Sequence, residues 1–127
     1  MSQNSLPDYL DHMLDAARQA CGYVEGMEKD DCMVDKRTQQ AVILNIVIIG
    51  EAATKLLKDY EVFLDRHPDV PWKSMKGMRN RVAHGYFDIN LDVVWETVQT
   101  ALPVLLERLP GILIDAGPPL TPPARSS

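Results

Sequence analysis

With 127 residues, 46% of them apolar, the chain is sized for a single domain with a real core, and pairing would help a domain this small cover its surface. A formal net charge of −5 and a pI near 5.0 argue against a general nucleic-acid coat or a lipid-surface binder, both of which are usually basic. The acidity is uneven: residues 73–81 hold Lys73, Lys76, Arg79 and Arg81 and no acid, a local patch suited to one phosphate-rich ligand.

The pattern predicts an all-α protein. A first helix is expected from about Pro7 to Gly26, since proline fits an early helical position and Leu10, Met13 or Leu14, Ala17, Cys21 and Val24 recur at helical spacing. Asp8, Asp11 and Asp15 share another face, read as solvated acids near a helix start. Residues 27–34 read as a polar connection. A long second helix is expected from Asp35 or Lys36 to Tyr60. Its middle, Ala41 to Ile49, is apolar nearly all round, which calls for a central place in a bundle, a second copy against one side, or both.

Pro68 and Pro71 mark a break. A short third helix should start near Pro71 and run into the Arg/His segment, with Trp72, Met75 and Val82 toward the core and Gly85 as its stop. Asn90 is a fair N-cap for a fourth helix carrying Leu91, Val94, Trp95, Val98, Ala101, Leu102, Leu105 and Leu106, which Pro103 should bend. The expected division is a helical domain over 1–114 and a tail over 115–127 with Pro118, Pro119, Pro122 and Pro123. Helix pairs joined by short loops make a bundle.

Cys21 and Cys32 match no metal-ligand spacing, and His12, His67 and His84 form no cluster with them, so neither a metal nor a cofactor is expected. The N-terminal residues lack a signal pattern, and the longest apolar run, 41–49, is interrupted by Asn45 and far short of the ~18–20 residues a membrane span needs. A cytoplasmic protein without membrane contact is the expectation.

The chemistry concentrates in Arg79-Asn80-Arg81-Val82-Ala83-His84-Gly85-Tyr86. Five residues at about 100° each leave Arg79 and His84 about 140° apart on a straight helix. The two therefore serve one pocket only if the chain bends near His84 or two copies face each other across a two-fold axis. His84 could take and give protons near neutral pH. Arg79 could stabilise charge on a phosphate, and Asn80 could orient a hydroxyl or a phosphate. Arg81 and Lys76 are candidate phosphate contacts. Together these groups match metal-independent cleavage of an RNA phosphodiester, with the 2′-hydroxyl as internal nucleophile and, in a dimer, one histidine as base and the other as acid. The bland reading of the same residues is Arg79 paired with an acid, Asn80 as a cap and His84 at a helix end.

At this point the segment resembles the Arg-x4-His-x-Tyr signature of the HEPN superfamily, in its HepT-like branch. The stretch from Asp35 to Thr54 is similar to that family's long second helix, and Pro71-Trp72 and Phe87-Asp88-Ile89-Asn90 also fit, so the likeness covers about residues 6–110. It implies an antiparallel four- to five-helix bundle, HEPN-like and homodimeric. It further implies a ribonuclease toxin neutralised by a minimal nucleotidyltransferase antitoxin. Arg79 and His84 fall on the family's catalytic pair, Asn80 on the polar residue beside the arginine, and Tyr86 on the tyrosine that some partner antitoxins modify with AMP. Glu51 falls on a well-matched part of the long helix, where it could serve structurally as a buried partner for Arg79 or Arg81. The alternative from a different class is a noncatalytic helical dimer that binds a partner protein or a nucleotide.

Overall fold

Helix α1 (Leu6–Tyr23) starts where the chain supplies its own stop for the orphan amides. Ser5 and Asp8 form a reciprocal capping box: the Asp8 carboxylate accepts from the Ser5 backbone N–H at 2.9 Å and from its hydroxyl at 2.9 Å, while the Ser5 Oγ accepts from the Asp8 N–H. Asp8 is thus a structural acid rather than one of three solvated ones; Asp11 and Asp15 are exposed. The computed structural model describes residues 5–82 and 88–117. Among them all regular structure is helical.

The connection expected over 27–34 contains a short helix, α2 (Lys29–Met33), whose N-terminus is closed by an Asp31 carboxylate accepting from the Glu28 N–H at 2.9 Å. Helix α3 (Lys36–Asp59) follows, capped by Asp35, whose carboxylate accepts from the Thr38 amide at 3.1 Å and its hydroxyl at 2.8 Å. Val42, Ile46, Ile49, Ala53 and Leu56 are buried at helical spacing and pack chiefly against α1. Asn45 survives inside by donating to the Ala41 carbonyl at 2.9 Å.

A second unforeseen short helix, α4 (Glu61–Asp65), precedes the proline break. The expected third helix is in fact two: α5 (Trp72–Lys76) and α6 (Met78–Val82), divided at Gly77. Both pack on α3, through Trp72, Met75, Met78 and Val82, all buried. The last helix begins as α7 (Leu91–Glu96), capped by Asn90 accepting from the Val93 N–H at 3.2 Å, and ends as α8 (Leu102–Ala116). Pro103 has no N–H to give the Gln99 carbonyl. A π turn at Thr97–Ala101 stands just before it, with the Leu102 N–H reaching back to the Thr97 carbonyl. Helix α8 lies against α1 through Leu102, Leu105, Leu109 and Ile112. It runs to Ala116, two residues past the expected boundary at 114, and Asp115 is held by Arg66 at 3.0 Å and His67 at 2.8 Å.

The apolar run in α3 is short, but α3 and the Leu91–Ala116 helix are each long and apolar enough, by length and composition, to cross a membrane. Each gives part of its apolar surface to the bundle core, while Leu44 and Ile48 on α3 and Val104 and Ile114 on the last helix are exposed.

Two expectations follow. Ile46, fully buried on α3, should cost about 2–5 kcal/mol on Ile46→Ala, read from urea unfolding. The hydrogen bonds from Thr38 hold the Asp35 carboxyl below its ordinary value. Its cap is therefore fully formed above the ordinary aspartate range, and its stabilisation is lost as pH falls through the lowered value. Asp35→Asn keeps a capping oxygen without a titrating group, so its melting temperature should fall less steeply than wild type below about pH 4.

Candidate functional site

The basic stretch is displayed by an apolar register. Trp72, Met75, Met78 and Val82 are spaced to point inward, and Lys73, Lys76, Arg79, Asn80 and Arg81 between them are exposed. This edge lies against α3 at Gly50, where a Cβ would stand 3.5 Å from the Met75 carbonyl oxygen and 3.9 Å from the Arg79 Cβ, ordinary contact distances.

Between the two walls is an open cleft of about 500 Å³. Helix α3 lines it with Val47, Gly50, Glu51 and Thr54, one face at i, i+3, i+4 and i+7, and the other wall is Lys76, Arg79 and Asn80. Arg79 donates from Nη1 to the Asn80 side-chain oxygen at 3.1 Å, which steadies the guanidinium and leaves the Asn80 amide nitrogen as a donor. Thr54 spends its hydroxyl proton on the Gly50 carbonyl at 2.8 Å. Among the described residues neither Lys76 nor Arg79 is in an ion pair. The wall thus presents two uncommitted cations and an amide to a solvent-filled space, an arrangement that can hold a phosphate.

Arg81, expected on a phosphate, is placed elsewhere. Two residues on from Arg79, it points about 200° away. It donates to the Ser74 carbonyl at 3.0 Å, closing the end of α5, and borders a small cavity of about 120 Å³ with Met75, Met78 and Val104. Of the two expected phosphate contacts, only Lys76 shares the cleft with Arg79.

The expectation of Glu51 as a buried partner of an arginine is corrected: Glu51 is exposed, and among the described residues it pairs with neither Arg79 nor Arg81. It belongs to the cleft instead, together with Gly50 and Thr54, which sequence reasoning missed. The signal was available in the helical spacing from Val47. His84, Gly85 and Tyr86 lie outside the described residues. The described chain on either side of 83–87 is joined by the Asn90 N–H donating to the Val82 carbonyl at 2.7 Å. Cys21 is half-buried and Cys32 buried, and burial raises both thiols above their ordinary value, which disfavours the thiolate.

A family model described as "Ribonuclease HepT-like" matches residues 13–112. The chain belongs to the HepT-like family. "Putative RNase MJ0127" of Methanocaldococcus jannaschii is 31% identical over 115 residues, spanning 91% of this chain and 93% of that protein. "Probable ribonuclease HepT" of Thermococcus cleftensis is 34% identical over 103 residues, spanning 81% and 91%. "Putative RNase TTE0752" of Caldanaerobacter subterraneus is 34% identical over 105 residues, spanning 83% and 91%. No solved structure matches at a significant level. The HepT-like family description and the relatives' names support a ribonuclease.

The floor of the HepT-like cleft can be tested at Gly50. The added methyl of Gly50→Ala would meet its neighbours at ordinary contact distances, and glycine inside a helix costs roughly 0.5–1 kcal/mol relative to alanine. The variant should unfold at higher urea, with a gain of about that size; a loss would mean that α3 and α5 are closer packed than this.

Proposed function

We propose that this HepT-like chain is a metal-independent endoribonuclease that works as a homodimer in the cytoplasm, the toxin of a pair whose antitoxin is a minimal nucleotidyltransferase. The observation that carries the reading is the exposed Arg79, steadied by Asn80 and joined by Lys76 in one cleft, in a chain whose family is described as ribonuclease HepT-like.

In the proposed reaction the cleft seats one phosphodiester. A neutral His84 imidazole takes the 2′-hydroxyl proton and the O2′–P bond forms. The P–O5′ bond breaks, and the departing O5′ takes a proton from the imidazolium of the second copy's histidine. The products are a 2′,3′-cyclic phosphate and a 5′-hydroxyl. Arg79 stabilises the charge that builds on the non-bridging oxygens, Lys76 adds a point charge, and the Asn80 amide fixes the phosphate's orientation.

What supports the dimer is α3. Leu44 is 60% exposed and Ile48 37% exposed on a helix otherwise built for a core. Leu44 lines a groove of about 520 Å³ together with Ile43, Val47, Ile89 and Leu91 and the polar Lys36, Gln39 and Gln40. Val47 borders both this groove and the Arg79 cleft. A second copy covering the stripe would bring its own cleft alongside, which is the arrangement a two-histidine reaction needs. AMP transferred to Tyr86 would add charge and bulk beside a phosphate site, and so silence it.

Purified protein should cut single-stranded RNA without added metal and leave cyclic phosphate ends. His84→Ala should lower the rate at least about 10²-fold, and Arg79→Ala by about 10²–10³-fold, with helicity and dimerisation intact. Leu44→Glu with Ile48→Glu should give a monomer by sedimentation and lose cutting with it. Mass spectrometry after coexpression with the nucleotidyltransferase should find AMP on Tyr86. If wild type and His84→Ala bind RNA equally and neither cuts, the protein is a binding module and the enzyme reading falls.

A further inference from the structure

The cleft carries one group that phosphate binding does not use. Glu51 faces the same space as Lys76 and Arg79 from the opposite wall, exposed and, among the described residues, without an ion-pair partner. A carboxylate beside an anion site weakens that site by repulsion unless it has its own task. Its chemistry is acceptor-only, with two oxygens in one plane. The second wall offers the reverse: the Arg79 guanidinium, the Lys76 ammonium and the Asn80 amide nitrogen are all donors. A ligand that satisfies both walls needs an anionic end and, a short distance away, a group rich in N–H donors. A nucleotide has this polarity, and inorganic phosphate or a bare polyanion does not.

We propose that Glu51 reads the base of the nucleotide whose phosphate Lys76 and Arg79 hold, and that it favours guanine. The proposal rests on the ribonuclease reading and adds its specificity. Guanine presents the N1–H and the 2-amino group side by side on its Watson–Crick edge, a pair that fits the two oxygens of one carboxylate. Cytosine and adenine offer only an amino group to such an acceptor. Uracil offers a single N–H flanked by two carbonyls that the carboxylate repels. Unstacked bases of single-stranded RNA are commonly read on this edge. Helix α3 supplies a rigid mount: Glu51 lies between Gly50 and Ala52, both buried, so its backbone position is fixed by the core.

The test uses the full-length protein and fluorescence anisotropy with short 2′-O-methyl oligonucleotides, which cannot be cleaved through the 2′ position. One probe is all uridine, a second carries one central guanosine, and a third carries inosine there, which lacks the 2-amino group. Wild type should bind the guanosine probe roughly five- to tenfold more tightly than the uridine probe, with inosine between. Glu51→Ala should abolish that preference while binding the uridine probe at least as well as wild type, because a repulsive charge has been removed. An unchanged guanosine-to-uridine ratio in Glu51→Ala overturns the inference, as does a wild type that binds all three alike; in both cases RNA binding itself stands. Loss of the dimer in Glu51→Ala, seen by sedimentation, overturns it too and makes Glu51 an interface residue. A wild type that binds none of the probes sinks the ribonuclease reading along with it.

Discussion

Helix α3 is asked to satisfy neighbours on most of its circumference, and the rest of the molecule is arranged around that demand. Val42, Ile46, Ile49 and Leu56 are buried, and α1 is its largest neighbour. Gly50 accepts the α5–α6 edge. Buried alanines at 52 and 53 keep the helix slim where it is most crowded. What is left over is a strip through Gln40, Leu44, Ile48, Glu51, Lys55 and Lys58, aliphatic in its middle and charged toward its C-terminal end. One helix thereby serves as core element, cleft wall and open face, and a change in its rotation would disturb all three together.

The cleft owes its character to a division of labour between short and long elements. Helices α5 and α6 are too brief to be stable alone and are held by Trp72, Met75, Met78 and Val82 sunk into the core. That anchoring lets the residues between them be cations without cost to the fold. Arg81 adds a link of its own by occupying the Ser74 carbonyl at the end of α5. Two arginines two positions apart thus take up unlike tasks: Arg79 opens onto the cleft and Arg81 turns back on the backbone.

Long-range periodicity made much of this legible in advance. The start of α1, the extent of α3, the cap at Asn90 and the inward set at Trp72, Met75 and Val82 follow from side-chain spacing and local hydrogen bonding, whereas α1 stops at Tyr23, three residues short of the expected Gly26. The short helices α2 and α4 did not show, because five residues are too few for a period to register. The division at Gly77 was hidden for the same reason, but the separation of Arg81 from Arg79 was not, because two residues along one helix face nearly opposite ways. Glu51 was misjudged because a carboxylate on an apolar helix reads as a buried partner, whereas only the packing angle of α5 and α6 decides whether it meets an arginine or solvent. The π turn before Pro103 satisfies a backbone that sequence could only flag as interrupted.

The exposed cations Lys73, Lys76 and Arg79 sit on a molecule whose total charge is −5. A polyanion drifting nearby meets net repulsion from the molecule as a whole and local attraction at this acid-free patch, so the field biases approach angles before any contact forms. Because so few charges take part, the counterions shed on association number only two or three. Ionic strength should therefore tune such encounters gently, in contrast to the steep decline seen with broad cationic surfaces.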